Sequence, residues 1–301
     1  MKHSKIAIIG AGFVGSTTAY ALLLQNIVAE IILVDINETR CTGEILDLSD
    51  ALSFDGTSRI RSGTSHDAAQ ADIIIMAAGK PQKPDEPRTD LITSNTQILT
   101  EIFKEIIPIN PQAIMIIITN PVDAMTLLAQ QLSGLPRNQV FGSGTFLDSQ
   151  RLRNITANAL QISPESVNAH ILGEHGDSQF AAWSSATIGG IPALEYPGMI
   201  LQKLDTFAQE VRDKAYDIIA CKGSTYYGIA ACVARMCKAI IFDQKLVLPL
   251  SVYHKEWDMC FSMPVVLGEN GIEAILSVPL NEDEQKKLHT SIAALQQLTK
   301  K

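Results

Sequence analysis

Apolar and polar residues fall in alternating blocks along this chain. Lys5–Ile9, Ile31–Val34, Asp72–Met76 and Ile114–Ile118 are short apolar runs. They read as strands. Ser58–Arg61 and Gln139–Phe141 are weaker members of the same series, and helical period fills most of the gaps, as in Thr93–Ile107 and Ala124–Leu132. Six parallel strands with crossover helices predict a doubly wound α/β sheet. From Thr145 the pattern turns helical, with further helices expected at Leu204–Cys221 and Tyr226–Phe242. Leu246–Val252 and Met259–Leu267 alternate like antiparallel strands. Asn281, with Glu284 three residues on, has the capping-box pattern that opens a last helix.

Composition narrows the class. With 46% hydrophobic and 19% charged residues over 301 positions, the chain reads as a soluble globular enzyme with room for two lobes, not a disordered segment. The net charge of −8 disfavours nucleic acid and anionic membranes as partners. An anionic substrate then has to be captured by local arginines. Five cysteines without C-x-x-C spacing suggest buried free thiols, not a zinc site or a disulfide framework. The first residues lead straight into a strand without signal-peptide anatomy, and no apolar run reaches the ~18 residues of a membrane span. A cytoplasmic protein is the expectation.

The first strand ends at Gly10-Ala-Gly-Phe-Val-Gly15 and a helix follows. In that context G-x-G-x-x-G marks a dinucleotide site. Gly10 permits the tight turn, Gly12 admits a pyrophosphate to the backbone, and Gly15 lets the helix pack on the strand. The helix N-terminus offers its amides to the phosphates. Asp35 closes the second strand twenty residues after Gly15, where a carboxylate bonds both adenosine ribose hydroxyls and repels a 2′-phosphate. That spacing predicts NAD over NADP, the competing reading being a strand-end turn cap. The polar, proline-rich stretch Lys80–Asp90 lies at the ligand edge of the sheet and is a candidate lid. Asn120, after the fifth run, offers a donor and an acceptor to the same crevice.

Past the midpoint, His175 stands in Leu172-Gly-Glu-His-Gly-Asp-Ser178. Its flanking glycines permit a tight turn, and imidazole both gives and takes a proton near neutrality. Alone it is most simply a surface histidine. Asp148 and Arg151, however, are i and i+3 on one helix face, and Arg153 points elsewhere. An aspartate can fix the imidazole tautomer and stabilise its protonated form. An arginine can grip a carboxylate through two hydrogen bonds, and a lid arginine, Arg88, can polarise a carbonyl. Together these meet the requirements of hydride transfer to a 2-oxo acid.

These segments, with Gln82–Arg88, Thr119-Asn-Pro-Val-Asp123 and Lys222-Gly-Ser-Thr-Tyr-Tyr-Gly228, resemble the L-lactate/malate dehydrogenase family, most closely its bacterial lactate branch. The resemblance runs from about Lys5 to the last helix. It implies an N-terminal Rossmann domain over residues 1–142 and a C-terminal α+β substrate domain over residues 143–301. It also implies that His175 is proton donor and acceptor, Asp148 its partner, Arg151 the carboxylate clamp and Arg88 the lid arginine. Asn120 then binds the substrate oxygen and Thr225 lines the substrate pocket. The implied NAD contacts are Gly10, Gly12, Val14, Gly15, Asp35, Arg40, Gly79 and Asn120. Ile229, on the face of Thr225, flanks the nicotinamide by resemblance or packs in the core. No metal is expected.

Substrate choice is read from Gln82, where malate dehydrogenases carry an arginine for the second carboxylate. A neutral amide favours pyruvate and leaves a dicarboxylate without a counter-charge. Pro84-Asp85-Glu86-Pro87 and Pro81 depart from the lactate pattern, and Leu172–Ser184 resembles branched 2-hydroxyacid dehydrogenases. Malate and branched 2-oxo acids are therefore the alternatives. An NAD-binding protein without turnover is the rival from another class, but it predicts loss of some of Asp148, Arg151, His175 and Arg88, and all four are present. In sugar-bisphosphate-activated relatives an arginine two past the clamp pairs with a histidine seven before the catalytic one. Here these positions are Arg153 and Asn168, so weak or absent activation by fructose 1,6-bisphosphate is expected. The family also suggests a homo-oligomer, dimer or tetramer.

Overall fold

The computed structural model describes residues 5–54, 56–80 and 88–299. Its first half alternates strands Lys5–Ile9 (β1), Glu30–Val34 (β2), Arg59–Ser62 (β3), Ile73–Met76 (β4), Ile114–Ile117 (β5) and Val140–Gly142 (β6) with helices. Those helices are Phe13–Gln25 (α1), Glu38–Leu52 (α2), Ser65–Ala69 (α3), Arg88–Ile106 (α4) and Val122–Leu132 (α5). All six strands pair in parallel, in the order β6-β5-β4-β1-β2-β3. Isoleucine-rich β4 and β5 are wholly buried because helices cover both faces, whereas β3 is a half-exposed edge strand. The strand order reverses between β1 and β4, and ligands of such sheets sit at that point, beyond the strand C-termini.

The second half adds helices Phe146–Leu160 (α6), Leu204–Lys222 (α7), Tyr227–Ile241 (α8) and Glu282–Thr299 (α9). Two-residue strands Val167–Asn168 (β7), Ile171–Leu172 (β8), Phe180–Ala181 (β9), Thr187–Ile188 (β10) and Ile191–Pro192 (β11) form small side sheets. Leu246–His254 (β12), Met259–Gly268 (β13) and Gly271–Ile275 (β14) make an antiparallel meander that joins the main sheet. Gly142, the last residue of the expected first domain, pairs with Ser251 of β12. The nine-stranded sheet therefore crosses that boundary unbroken. One core packs α1 and α8 on one face of it; the other lies under α4 and α5.

The expected capping box is present: Glu284 N–H donates to Asn281 Oδ1 (2.9 Å) and Asn281 N–H to Glu284 Oε2 (3.2 Å). One boundary needs correction. The sequence predicts loop throughout Lys80–Asp90, yet α4 already begins at Arg88. Leu91 and Asn95 are both buried, and their packing carries the helix a turn beyond its apolar period. Cys41, Cys232, Cys237 and Cys260 are buried thiols; Cys221 is exposed.

Candidate active site

The glycine loop between β1 and α1 is as tight as its sequence requires. Gly10 has φ +108°, and a Cβ there would lie 2.6 Å from the Ala78 backbone nitrogen. A Cβ on Gly15 would lie 1.8 Å from the Gly10 carbonyl oxygen, while one on Gly12 would meet nothing within 4 Å. The loop is thus packed below and open above. The first turn of α1 carries neither a capping side chain nor an acidic residue, so its positive end is left for an anion. Asp35 Oδ2 accepts from the Ala11 N–H (2.6 Å) and Oδ1 from the Asn37 N–H (2.8 Å). The strand-end carboxylate therefore ties β2 to the glycine loop, the turn-cap role that the sequence left open. Arg40 lies 5.5 Å over the exposed Phe13 ring and pairs with Glu44. Gly79 packs against Thr119, whose hydroxyl donates to the Ala78 carbonyl (2.7 Å). These features fit a bound dinucleotide.

Beside the loop, α6 presents Asp148 and Arg151 from its buried face. His175 Nδ1 lies 2.7 Å from Asp148 Oδ2, and Arg151 Nη1 donates to Asp148 Oδ1 at 3.1 Å. The side chains of Asp148 and Arg151 are 3% and 9% exposed, so this is no solvated surface pair. Burial works against a charged His175, but the Asp148 charge and hydrogen bond outweigh it and raise the imidazole's proton affinity. Burial likewise opposes the Asp148 carboxylate, yet His175 and Arg151 hold it below the usual range. With Nδ1 engaged, Nε2 is the ring nitrogen left for a ligand, on a side chain still 29% exposed.

The histidine loop is pinned from three directions. Gly173 and Ser262 of β13 exchange backbone hydrogen bonds (3.0 and 2.8 Å). Glu174 N–H donates to Ser291 Oγ of α9 (2.7 Å), and His175 N–H to Asp123 Oδ2 of α5 (2.7 Å). Gly173 has φ +87°, and a Cβ on it would lie 2.5 Å from Ser291 Oγ. The glycine before His175 thus serves the close approach of α9.

One cleft of about 230 Å³ gathers Val14, Asn120, Arg151, His175, Thr225 and Ile229, with Asp148 at its wall. Ile229 is half-buried and borders both the cleft and the core. A larger groove of about 750 Å³ runs between α7 and α9. It contains no histidine, and the Asp148–Arg151 pair borders the smaller cleft instead. Gln82 and the side chain of Arg88 lie outside the described residues. Arg153 faces away from the cleft, as the helix geometry requires, and meets the Ala169 carbonyl (3.1 Å) and Asn168 Oδ1 (3.3 Å). No cluster of metal-binding side chains occurs among the described residues. Sequence reasoning missed Asn95, whose amide donates to the Asn120 carbonyl (2.6 Å), and the buried anchors Asp123, Ser251 and Ser291. No local signal marks them, because their partners lie far along the chain.

Comparison with known proteins agrees with this arrangement. The lactate/malate dehydrogenase NAD-binding domain matches residues 4–142, and the α/β C-terminal domain of the same proteins matches residues 145–301. L-lactate dehydrogenase A of Rhizopus oryzae is 46% identical over 97% of this chain and 91% of its own. L-lactate dehydrogenase of Lacticaseibacillus casei is 42% identical over 98% and 93%. The crystal structure of the minor L-lactate dehydrogenase of Enterococcus mundtii superimposes with a TM-score of 0.95, at 36% identity, over 100% of this chain and 98% of that one.

Proposed function

We propose, because this chain belongs to the lactate/malate dehydrogenase family, that His175 and Arg151 are the proton donor/acceptor and the carboxylate clamp of a reversible pyruvate–lactate conversion. The activity is that of an NAD-dependent L-lactate dehydrogenase. Gly10, Gly12 and Gly15 would hold the pyrophosphate of NAD, and the bound cofactor would supply or accept the hydride. The chain's own residues do the rest. Arg151 has one N–H engaged by Asp148 and keeps further donors for a bidentate grip on the substrate carboxylate. His175 Nε2 donates its proton to the carbonyl oxygen while Asp148 stabilises the imidazolium. Asn120 and Arg88 hold and polarise that oxygen, and Thr225 closes the pocket. Gly10, Gly12, Val14, Gly15, Asp35, Arg40 and Gly79 form the dinucleotide cradle.

The observation that carries this reading is the chain of contacts from His175 to the buried Asp148–Arg151 pair, facing the cleft that Asn120 borders. Exposed Phe13, Leu24, Leu46 and Phe54 favour a homo-oligomer, dimer or tetramer, with such side chains covered. No helix of the described residues is long and apolar enough to cross a membrane, and the reducing environment suggested by free thiols favours the cytoplasm. The test is NADH oxidation with pyruvate, oxaloacetate and 2-oxoisocaproate side by side. Pyruvate is expected to give the highest kcat/KM, and Gln82→Arg is expected to move preference towards oxaloacetate. A wild-type preference for oxaloacetate refutes the substrate assignment.

A further inference from the structure

Asp123 is the second residue of α5 and is wholly enclosed at 1% exposure, yet it touches the histidine loop. Both of its oxygens are committed: Oδ2 accepts from the His175 backbone N–H at 2.7 Å and Oδ1 from the Ser251 hydroxyl at 2.5 Å. Three residues earlier in the chain stands Asn120, which borders the cleft and whose carbonyl is held by Asn95 of α4. One turn of backbone therefore carries both a cleft-lining side chain and the carboxylate that grips the histidine loop.

The choice of a carboxylate at this point calls for a reason. One amide N–H and one hydroxyl need only neutral acceptors, and enclosing an anion among so few donors is costly. Burial pushes Asp123 up to about 6, against the pull of Ser251 and His175. The groups acting on it are His175 and Glu174 of the loop, the first attracting its charge and the second repelling it. Cys260 of β13 also feels this carboxylate, and burial keeps its thiol protonated. Beyond the histidine stand Asp148 and Arg151 of α6, which already pair with each other. A carboxylate kept in so unfavourable a place is accounted for if a positive charge develops beside it, and His175 is where one does.

We infer that Asp123 is a positioning residue for the proton transfer: its charge joins Asp148 in stabilising the imidazolium, and its grip on the His175 amide sets that ring in register with Asn120. The inference rests on the assignment of His175 as proton donor and acceptor.

Asp123→Asn separates charge from geometry. Its amide oxygen accepts from the His175 N–H while its NH2 donates to Ser251, whose hydroxyl reverses its role. Profiles of kcat/KM against pH are measured for pyruvate reduction and lactate oxidation in wild type and variant. In the variant both histidine limbs move to lower pH, because the imidazole holds its proton less tightly. Above the midpoint, kcat/KM for pyruvate falls roughly fivefold, or about 1 kcal/mol. A merely structural anchor changes folding and leaves the limbs where they are. Coincident profiles in a folded Asp123→Asn enzyme overturn the inference. If that variant does not fold, Ser251→Ala removes one of the carboxylate's two hydrogen bonds and disfavours its charge; a smaller shift in the same direction is expected, and none overturns it. Wild type that oxidises no NADH with pyruvate sinks the dehydrogenase reading instead, a separate outcome.

Discussion

Asp148→Asn is the sharpest perturbation of the site. In wild type one carboxylate, 2% exposed, serves two cations, with Oδ2 at 2.7 Å from His175 Nδ1 and Oδ1 at 3.1 Å from Arg151 Nη1. Asparagine is nearly isosteric but can present an acceptor to only one of them. If its oxygen faces His175, its NH2 meets the Arg151 guanidinium, donor against donor; flipped, it meets the ring N–H instead. The buried pair is broken either way, and a break that strands a buried charge costs about 3–5 kcal/mol. Applied to the protonated histidine and the clamp, that lowers kcat/KM for pyruvate by about two to three and a half orders of magnitude. NADH affinity should stay within about twofold, since Asp148 belongs to α6 and not to the glycine loop, and affinity follows binding contacts. Steady-state NADH oxidation gives the first quantity and fluorescence titration the second. A loss under tenfold, or one confined to NADH binding, refutes the reasoning.

Two further outcomes follow from buried groups. Burial lowers His170 and His254 to about 4, so both take up protons on unfolding between their folded values and the ordinary histidine range near 6.5. Stability is full above about pH 6.5 and is lost as pH falls, by about 3 kcal/mol for each ring. Asp123, raised to about 6, works in the opposite sense, since it gains a proton in the fold before the unfolded chain does. The unfolding free energy from urea titrations should therefore drop by about 3 kcal/mol between pH 7 and pH 4; a flat or rising trend contradicts the assignment of the three groups. At the other face of α6, Arg153 meets a neutral Asn168 where activated relatives carry a histidine. Fructose 1,6-bisphosphate should accordingly leave the rate at sub-saturating pyruvate almost unchanged, and strong activation in that titration refutes this.

How much of this was legible depended on whether a residue's partner was local. β4 and β5 stand out because strands covered on both faces become unbroken isoleucine runs, and β3 was blurred because an edge strand keeps polar residues. The Asp148–Arg151 face followed from i, i+3 spacing, but its burial did not, since the chain that covers it lies elsewhere. Asp123 stands in the segment Thr119–Asp123, yet nothing local marks its role. Beside a helix start a carboxylate looks like a charge matched to the dipole, and its partners His175 and Ser251 stand 52 and 128 residues away. Asn95 gave the same difficulty, as a polar residue within an amphipathic period reads as solvent-facing. The start of α4 escapes the periodicity because packing of Leu91 and Asn95 fixes it.

The distribution of thiols has a practical consequence. Burial pushes Cys232 and Cys237 up to about 12 and Cys260 well above its ordinary value, and Cys41, on the inner face of α2, is buried against β2. Thiolate is the species that alkylating reagents attack. Cys221, exposed at the end of α7, is therefore the single addressable handle among the five. The same helix walls the cleft through Ala215, Tyr216 and Ile219. A maleimide dye or spin label on the native sequence would sit on the element that borders bound substrate, giving a reporter of ligand occupancy without any engineered cysteine.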